Sequence, residues 1–381
     1  MSSKLVDLGE IAEFINGYAF KPTDWSNTGI KIIRIQNLTS GEKSFNRTSK
    51  SVPDKYLVKK GDILVSWSAT LDVFEWSEEE DALLNQHIFL VKPFHDRISK
   101  KYFKYALGYS IAEMSNFTHG STMKHIVRKD FLKHKIPLPT IEEQNRIVKI
   151  LDQAQSLIEK RKQAIAYLDD YIKAVFLDMF GDPVSNPKGW EVRKLEHLLK
   201  FLTSGSRGWA KYYSTNGEYF LSIKNVGRDN RLNLTNVVYI NPPKNAEAKR
   251  TIVQKGDVLF SITADLGRTI VVPQLEKKAF INQHLAILRL KEQVDPIYMT
   301  HYLSSAGGQQ QLKNLNKGSA KAGLNFNNIK SLNILLPPVQ LQIKFASTVI
   351  KVELLREKMQ SQLKDLENNF QAQLQRAFRG E

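Results

Sequence analysis

The chain has 381 residues, 42% of them hydrophobic, and a formal net charge of +16 at pH 7. This length exceeds what one hydrophobic core usually supports, so two or more domains are expected, and the apolar content argues against a disordered chain. The absence of cysteine excludes disulfides, thiolate metal sites and cysteine nucleophiles. No apolar run approaches the roughly 20 residues of a membrane helix, and the start MSSKLVDLGE lacks a signal-peptide core, which predicts a cytoplasmic protein.

The positive charge is concentrated outside two helical stretches. Segments 1–140 and 181–338 carry +4 and +11, whereas 141–180 and 339–381 carry −1 and +2. A folded chain that keeps such a surplus against its own repulsion usually binds a polyanion. The charge distribution therefore indicates two basic globular segments that bind nucleic acid.

The first globular segment is predicted over residues 1–140. It mixes short strand-like runs with turns and short helices, as in GDILVSWS, where a Gly-Asp turn signal at 61–62 precedes a β-rich run. We predict a mixed α/β (α+β) fold for this domain.

A long helix is predicted over residues 141–182. Pro139 precedes it, apolar residues recur at a and d heptad positions, and FGDP at 180–183 ends it with glycine and proline. Arg161 interrupts the heptad. A helix of about 40 residues is about 60 Å long, and its apolar seam needs a partner.

The same organisation then occurs a second time, with a globular domain over 183–338 and a long helix over 339–381. IPLPTIEEQNRI at 136–147 matches ILLPPVQLQIKF, which lies 198 positions later, and the match continues without a gap through the helix. NQH at 85–87 recurs at 282–284, and KGD at 60–62 recurs at 255–257. The chain is thus one unit of about 190 residues present twice, which is a duplicated domain rather than a solenoid repeat.

The two helices are each other's expected partners. They are predicted to form a two-helix antiparallel coiled coil that separates the globular domains, related by a pseudo-twofold internal repeat. Arg161 and Arg356 interrupt the two seams, and each either pairs with a carboxylate or faces a partner subunit. The residues predicted to pack between the helices are Ile147, Leu151, Ile158, Ile165, Leu168, Ile172, Phe345, Val349, Val352, Met359, Leu363 and Leu366.

This arrangement resembles the specificity (S) subunit of Type I restriction-modification systems. The resemblance spans all 381 residues and rests on the tandem arrangement together with KGDILVSWSAT, NQH, GSTMKHI and the helix starts PLPTIEEQ and LPPVQLQ. In the second copy, Glu142-Glu143 become Gln340-Leu341, and GSTMKHI becomes GSAKAGL.

The resemblance implies that each globular segment is a target recognition domain reading half of a bipartite double-stranded DNA site. It implies that the helices set the spacer and dock two methyltransferase (M) subunits, with restriction/translocase (R) subunits as further partners. S-adenosylmethionine is then expected in the methyltransferase subunit, with no cofactor or metal in this chain and no membrane partner.

Catalytic motifs are not evident in the sequence. Asn241-Pro242-Pro243-Lys244 resembles an adenine-methyltransferase motif but lacks the aromatic residue that stacks on a flipped base, so a plain turn is favoured. No Walker A motif, nuclease pattern or zinc-ligand spacing occurs. His87 and His284 recur in both copies and are interpreted as structural hydrogen-bonders rather than catalysts. We expect a subunit that catalyses nothing by itself.

Candidate DNA contacts lie at turns and strand ends, where side chains reach base edges and phosphates. Two domains that recognise different half-sites should differ at the residues that contact the bases. Arg34, which corresponds to Ser222, is therefore a better specificity candidate than the shared Asn37 and Asn225. In the first domain the candidates are Tyr18, Lys21, Arg34, Asn37, Ser66, Trp67, Ser68, Thr70, Ser121, Thr122 and Lys124. In the second they are Ser206, Arg207, Trp209, Lys211, Lys224, Asn225, Arg228, Arg231, Ser261, Thr263, Arg268, Lys317, Ser319 and Lys321.

Two alternative functions remain open at this point. The helices could be a scaffold whose basic domains bind nucleic acid without sequence preference, or the chain could be a fragment of a methylating enzyme. Exchange of the first domain separates a specificity subunit from a scaffold, and methyl-donor binding by the purified chain would favour the enzyme.

Overall fold

A computed structural model describes residues 4–39, 44–68, 70–117, 127–316 and 323–379. The chain divides into two compact units, a first unit of residues 1–161 with 362–381 and a second unit of residues 162–361. Each unit therefore holds one globular domain and a segment of each long helix. This division cuts through the helices, whereas the domain boundaries predicted from sequence follow the helix ends, and those boundaries stay predictions.

The first globular domain contains ten strands and three helices in its described residues. The strands are β1 (Lys4–Asp7), β2 (Ala12–Asn16), β3 (Ile30–Ile33), β4 (Asn46–Thr48), β5 (Leu57–Val58), β6 (Ile63–Ser66), β7 (Asp72–Glu75), β8 (Ala82–Leu84), β9 (Ile88–Pro93) and β10 (Lys135–Leu138). The helices are α1 (Ile35–Thr39), α2 (Lys100–Phe117) and α3 (Arg128–Lys133), and the long helix α4 (Ile141–Phe180) follows.

The second globular domain repeats this order. Its strands are β11 (Glu191–Lys194), β12 (Leu199–Ser204), β13 (Tyr213–Ser214), β14 (Glu218–Leu221), β15 (Val238–Ile240), β16 (Val258–Ser261), β17 (Thr269–Val271), β18 (Ala279–Ile281), β19 (Leu285–Leu290) and β20 (Asn333–Leu336). Its helices are α5 (Ala246–Thr251), α6 (Pro296–Ser304), α7 (Ala306–Leu315) and α8 (Phe326–Lys330), and the long helix α9 (Val339–Arg379) follows.

Two of the three described sheets in each domain share one topology, which confirms the internal repeat. The order β2-β9-β6-β7 in the first domain corresponds to β12-β19-β16-β17 in the second, and the pair β1-β10 corresponds to β11-β20. A further sheet in each domain contains one parallel pair, β3 with β8 and β14 with β18. The mixed α/β (α+β) class predicted from sequence is confirmed, and so are the strands predicted after the Gly-Asp turns, β6 and β16.

Each long helix has a fully buried glutamine as its fourth residue. Gln144 accepts a hydrogen bond from the Ser99 amide at 2.8 Å and donates to the Pro139 carbonyl at 2.9 Å. Gln342 accepts from the Asp295 amide at 2.9 Å and donates to a proline carbonyl at 2.8 Å. These bonds satisfy backbone groups that would otherwise be buried without partners at the helix start. The repeated glutamine of the two helix starts thus fixes each helix to its own globular domain.

The helix ends follow from local chemistry. The helix predicted over 141–182 ends at Phe180, because Gly181 adopts a φ of +80°, which favours glycine. The Trp190 indole donates to the Phe180 carbonyl at 2.8 Å and so satisfies one of the last carbonyls. The helix predicted over 339–381 is described as far as Arg379.

Within each unit the two helix segments run antiparallel and enter the core of the globular domain. In the first unit, Leu151 near the start of α4 and Phe378 near the end of α9 share one apolar cluster. In the second, Phe176 near the end of α4 and Phe345 near the start of α9 share another. Among the predicted packing residues, Leu151, Ile158, Ile172, Phe345, Val349 and Val352 are buried, and Ile147, Ile165, Leu168, Met359, Leu363 and Leu366 are partly buried.

Candidate nucleic-acid interface

A repeated glycine packs the turn after the second strand against the NQH turn in both units. A Cβ on Gly17 would lie 2.1 Å from the Asn85 carbonyl oxygen, and a Cβ on Gly205 would lie 2.2 Å from the Ile281 carbonyl oxygen. No side chain fits at these distances, so only glycine permits the contact. The Gly205 amide also donates to the Leu285 carbonyl at 3.3 Å, beside the same turn. The two turns therefore form one loop surface in each unit.

A repeated asparagine shapes the next turn. The Asn37 side-chain oxygen accepts from the Arg34 amide at 3.0 Å, and its amide donates to the Ser44 carbonyl at 3.0 Å. Asn225, which is buried, accepts from the Ser222 amide at 2.9 Å and donates to a backbone carbonyl at 2.9 Å. Both side chains are hydrogen-bonded within a turn, and their assignment as DNA contacts stays a prediction. The argument that shared residues shape the domain rather than read DNA applies to this pair.

The repeated histidines contact the loop that follows the β6 or β16 strand. His284 Nδ1 lies 2.5 Å from the Thr263 hydroxyl, and His284 Nε2 lies 3.0 Å from the Gln283 side-chain amide. In the first unit, the His87 ring meets the Trp67 ring edge-on at a centroid distance of 5.6 Å. These contacts match the interpretation of both histidines as structural residues.

We call these turns the loop cluster of each unit. It comprises the glycine turn, the asparagine turn, the loop after the β6 or β16 strand and the NQH turn. The loop cluster of the first unit is formed by residues 16–18, 34–37, 67–68 and 85–87, and that of the second by residues 204–206, 222–225, 262–263 and 282–284.

The two loop clusters differ at one prominent position. In the first unit a cavity of about 140 Å³ is lined by residues that include Arg34, Gln36 and His87. The Arg34 guanidinium lies 5.4 Å from the centre of the Trp25 ring and donates to the Asn46 side chain at 3.1 Å. Ser222 stands at the Arg34 position in the second unit, so an extended cation is replaced by a short hydroxyl on the same framework.

Three further candidates are buried. Ser66 and Ser261 are 0% exposed, and the Ser261 hydroxyl donates to the Asp265 carbonyl at 2.6 Å. Trp209 stacks on Phe220 with centroids 5.3 Å apart inside an aromatic cluster. Their side chains stabilise the loops from within, which corrects their assignment as DNA contacts. Ser66 and Ser261 end β6 and β16, which are buried at every residue, and Trp209 lies outside the strands.

Arginines in the second unit are largely paired with carboxylates. Arg228 and Arg268 lie 2.6 Å and 2.5 Å from the Asp265 carboxylate, and the Arg228 side chain is still 74% exposed. Arg231 contacts Asp169 on α4 and Glu353 on α9. Arg231 is therefore turned toward the long helices rather than toward the loop cluster, which corrects its assignment as a DNA contact.

The remaining candidates are exposed or half-buried. Tyr18 is half-buried. The centre of its ring lies 4.9 Å from that of Phe20, 5.5 Å from that of Tyr56 and 5.2 Å from the Lys50 ammonium. The hydrogen bond to Asp24 raises the pKa of Lys50. Sequence reasoning missed Lys50 and Tyr56, although basic residues interleaved with aromatic ones are a recognised signal for nucleic-acid binding. The candidates that stay exposed are Lys21, Thr70, Arg207, Lys211 and Lys224, and those half-buried are Arg34, Trp67, Ser68, Ser206, Thr263 and Arg268.

The predicted phosphate-clamping loops are not among the described residues. Ser121, Thr122 and Lys124 of the first domain and Lys317, Ser319 and Lys321 of the second lie outside the described ranges. Their assignment stays a prediction.

The described ranges offer no other chemical centre. They contain no group of three or more histidine and acidic side chains arranged to hold a metal ion. None of their helices is long and apolar enough to cross a membrane. Asn241 of the NPPK sequence donates its amide to the Tyr212 carbonyl at 2.9 Å in the connection between β15 and α5, consistent with the turn interpretation.

The duplicated loop cluster and the two long helices define a tandem specificity protein with two domains of one type. Residues 2–167 and 187–368 match the family described as the Type I restriction modification DNA specificity domain, and the chain belongs to this family. Recognition of a DNA target by two domains is the function of this family architecture.

The similarity to individual relatives and to a solved structure extends over nearly the whole chain. The Type I restriction enzyme EcoBI specificity subunit of Escherichia coli is 23% identical over 411 residues, covering 99% of this chain and 85% of the relative. The putative type I restriction enzyme MjaX specificity subunit of Methanocaldococcus jannaschii is 24% identical over 388 residues, covering 92% and 87%. A structure concerned with complex assembly and conformational transition of the type I R-M system has a TM-score of 0.62 at 16% identity, covering 99% and 97%. That structural likeness shows the fold alone.

Proposed function

We propose that each unit reads one half of a bipartite DNA target and that the long helices set the unread spacer between the halves. The observation that carries this proposal is the duplicated loop cluster, in which the framework residues repeat and position 34/222 differs. An arginine there is suited to the paired acceptors of guanine, whereas a serine hydroxyl is compatible with either a donor or an acceptor edge. The two clusters also differ at Tyr18 against Ser206, Gln36 against Lys224 and Trp67 against Ile262. A shared framework with different side chains at several positions is what two different half-sites require.

Exposed cations around the loop clusters supply the affinity. Lys21 in the first unit and Arg207, Lys211 and Lys224 in the second are exposed. Contacts of this kind neutralise phosphates and position the protein without reading sequence. Affinity for any duplex should therefore fall steeply with salt.

The long helices also present a surface for partner subunits. In the first unit Leu157 is 53% exposed, and in the second Tyr167 and Leu354 are exposed on α4 and α9. Apolar side chains left exposed along a helix favour a protein partner. Two methyltransferase subunits occupy these surfaces in our proposal, with S-adenosylmethionine bound in those subunits and restriction/translocase subunits joining the complex, which works in the cytoplasm.

The chain itself supplies no reaction chemistry in this proposal. His284 is held by Thr263 and Gln283 beside the NQH turn, and Lys244 stands where a base-stacking aromatic residue would be needed. Methylation and cleavage then belong to the partner subunits.

Exchange of residues 1–140 for the counterpart of a relative tests the proposal. The chimaera is assembled with the methyltransferase subunits, and methylated adenines are mapped on a random-sequence DNA library. We expect one half-site to change while the other half-site and the spacer stay the same. Binding without sequence preference, or a continuous site in the parent protein, would instead support the scaffold alternative.

A further inference from the structure

One arginine of the second recognition domain reaches both long helices. Arg231 lies in the connection between the asparagine turn and β15. Its guanidinium makes two hydrogen bonds of 2.8 Å to the Glu353 carboxylate on α9. It makes a third bond of 2.7 Å to the Asp169 carboxylate on α4. A planar guanidinium held by paired bonds has a defined orientation as well as a position.

The carboxylates that hold Arg231 are fixed from the opposite side. Arg356 on α9 is buried, and its guanidinium donates to Asp169 at 2.7 Å and to the Ile165 carbonyl at 3.0 Å. The hydrogen bonds that Arg231 donates to the Glu353 carboxylate raise the pKa of Arg231, against the lowering effect of burial. Asp229 also accepts a hydrogen bond of 3.0 Å from Arg231. The five side chains form one connected ionic cluster, to which the recognition domain contributes Arg231 and Asp229.

Apolar packing is incomplete beside this cluster. A cavity of about 580 Å³ lies there, with Ile172, Phe176 and Val349 among its apolar lining and Arg231 among its polar lining. The ion pairs act beside the apolar contacts by which α4 and α9 enter the core of this domain.

Two positions of this cluster are changed in the described helix residues of the first unit. Gln155 stands at the position of Glu353 and Ile158 at the position of Arg356, each 198 residues earlier. Gln155 donates instead to Glu159 at 3.0 Å. The connection that carries Arg231 is also longer, since twelve residues separate Asn225 from Val238 and eight separate Asn37 from Asn46. The helix positions that build the ionic cluster therefore differ between the two copies at Glu353 and Arg356.

The first domain is attached to its helix segment by other residues. Asp152 on α4 accepts hydrogen bonds from Lys101 at 2.7 Å and from the Tyr105 hydroxyl at 2.8 Å, and both donors belong to α2. Each domain is therefore held to the helices by polar contacts, but from different elements.

We infer that Arg231 is a positioning residue for spacer length, which fixes the rotation of the second recognition domain on the helix pair. This inference rests on the proposed function. One added base pair moves a half-site by about 3.4 Å and rotates it by about 35° around the duplex. A recognition domain can discriminate against such a displaced half-site only if its orientation on the helices is fixed. The hydrogen bonds from Arg231 to both long helices restrict that orientation. Base identity is read elsewhere, in the loop cluster.

Two variants that remove the same contact from opposite sides test the inference. Arg231→Ala removes the cation and Glu353→Gln removes its paired acceptor on α9. Lys173→Ala is the matched control, since Lys173 is an exposed cation lining the same cavity. Each protein is assembled with its methyltransferase subunits and given duplexes whose two half-sites are separated by the normal spacer, or by one base pair more or less.

We expect the parent and Lys173→Ala to methylate the normal spacer only. Both Arg231→Ala and Glu353→Gln should raise methylation of the altered spacers relative to the normal one by about tenfold, with unchanged half-site bases. If Arg231 instead contacts phosphate, Arg231→Ala alone would weaken binding to every duplex and lessen its salt dependence, which would overturn the inference. Retention of strict spacing by both variants would overturn it as well. If the parent protein shows no split site, the proposed function itself fails.

Discussion

Arg356 on α9 donates a hydrogen bond of 2.7 Å to Asp169 on α4, and this pair joins the two long helices in the second unit. The sequence left open whether Arg356 pairs with a carboxylate or faces a partner subunit, and the structure shows a carboxylate partner. Arg161 donates to the Gln362 side chain at 2.5 Å in the first unit. Both interruptions of the apolar seam are thus matched by a polar group on the other helix, which fixes the register.

Loss of the Asp169 carboxylate should destabilise the protein. Asp169→Ala leaves the buried Arg356 without its carboxylate and weakens the hold on Arg231, so we expect a loss of about 2 kcal/mol in the free energy of unfolding. Asp170→Ala, at the exposed neighbouring position, should stay within about 0.5 kcal/mol. Urea denaturation measures both, and equal values for the two variants would contradict the buried pair. Asp169→Leu combined with Arg356→Ile should recover stability, because Ile158 fills the equivalent position in the first copy.

The buried glutamines at the helix starts should matter equally in the two units. Gln144→Leu and Gln342→Leu each leave buried backbone groups without hydrogen-bond partners. We therefore expect each substitution to lower the free energy of unfolding by about 2–4 kcal/mol. Gln155→Ala on the helix surface is the control and should change it by less than about 0.5 kcal/mol. A neutral effect at either glutamine would show that the backbone groups find other partners.

The repeated glycines should tolerate no side chain. Gly17→Ala and Gly205→Ala each place a Cβ against backbone, so we expect losses of about 2–3 kcal/mol and loss of the affected half-site. Gly108→Ala is the control, because Gly108 lies inside α2 and no atom lies within 4 Å of the added Cβ. That variant should be more stable by about 1 kcal/mol. Thermal melting and methylation assays distinguish these outcomes.

The second unit should lose stability as the pH falls. Burial lowers the pKa of His301 to about 4, partly opposed by Glu353 and Asp169. The unfolded chain, with a histidine pKa of about 6.5, takes up the proton first. The free energy of unfolding should therefore decrease as the pH falls from about 6.5 to about 4. Below pH 4 His301 is protonated in both the folded and the unfolded chain, so it causes no further decrease. His301→Gln should reduce that slope, and an unchanged slope would contradict the assignment.

Exposed lysines at the loop clusters should contribute charge and not sequence preference. Lys21→Ala and Lys224→Ala, measured in complex with the methyltransferase subunits, should each lower the slope of log affinity against log salt by about 0.9. The preferred bases should not change. Lys173→Ala on α4 is the comparison and should leave the salt dependence as it is. A shift in the preferred bases for either loop variant would instead assign that lysine to base recognition.

The elements and the repeat were predictable because their signals are local. Heptad spacing located α4 and α9, and the Gly-Asp turns located β6 and β16. The direction of individual side chains was not predictable, because it depends on contacts between distant segments. Ser66 and Ser261 end strands that are buried at every residue, and Arg231 reaches the helices from a connection that is longer in sequence than its counterpart in the first copy. The contrast between Arg34 and Ser222 needed only the comparison of the two copies.

The central claim is that two recognition domains bind two half-sites at a fixed separation. The most direct test is to map methylated adenines in cells that carry this gene together with the proposed methyltransferase subunits. We predict a single motif made of two specified half-sites separated by a constant number of unspecified base pairs. A continuous motif, or methylation without a motif, would contradict the account.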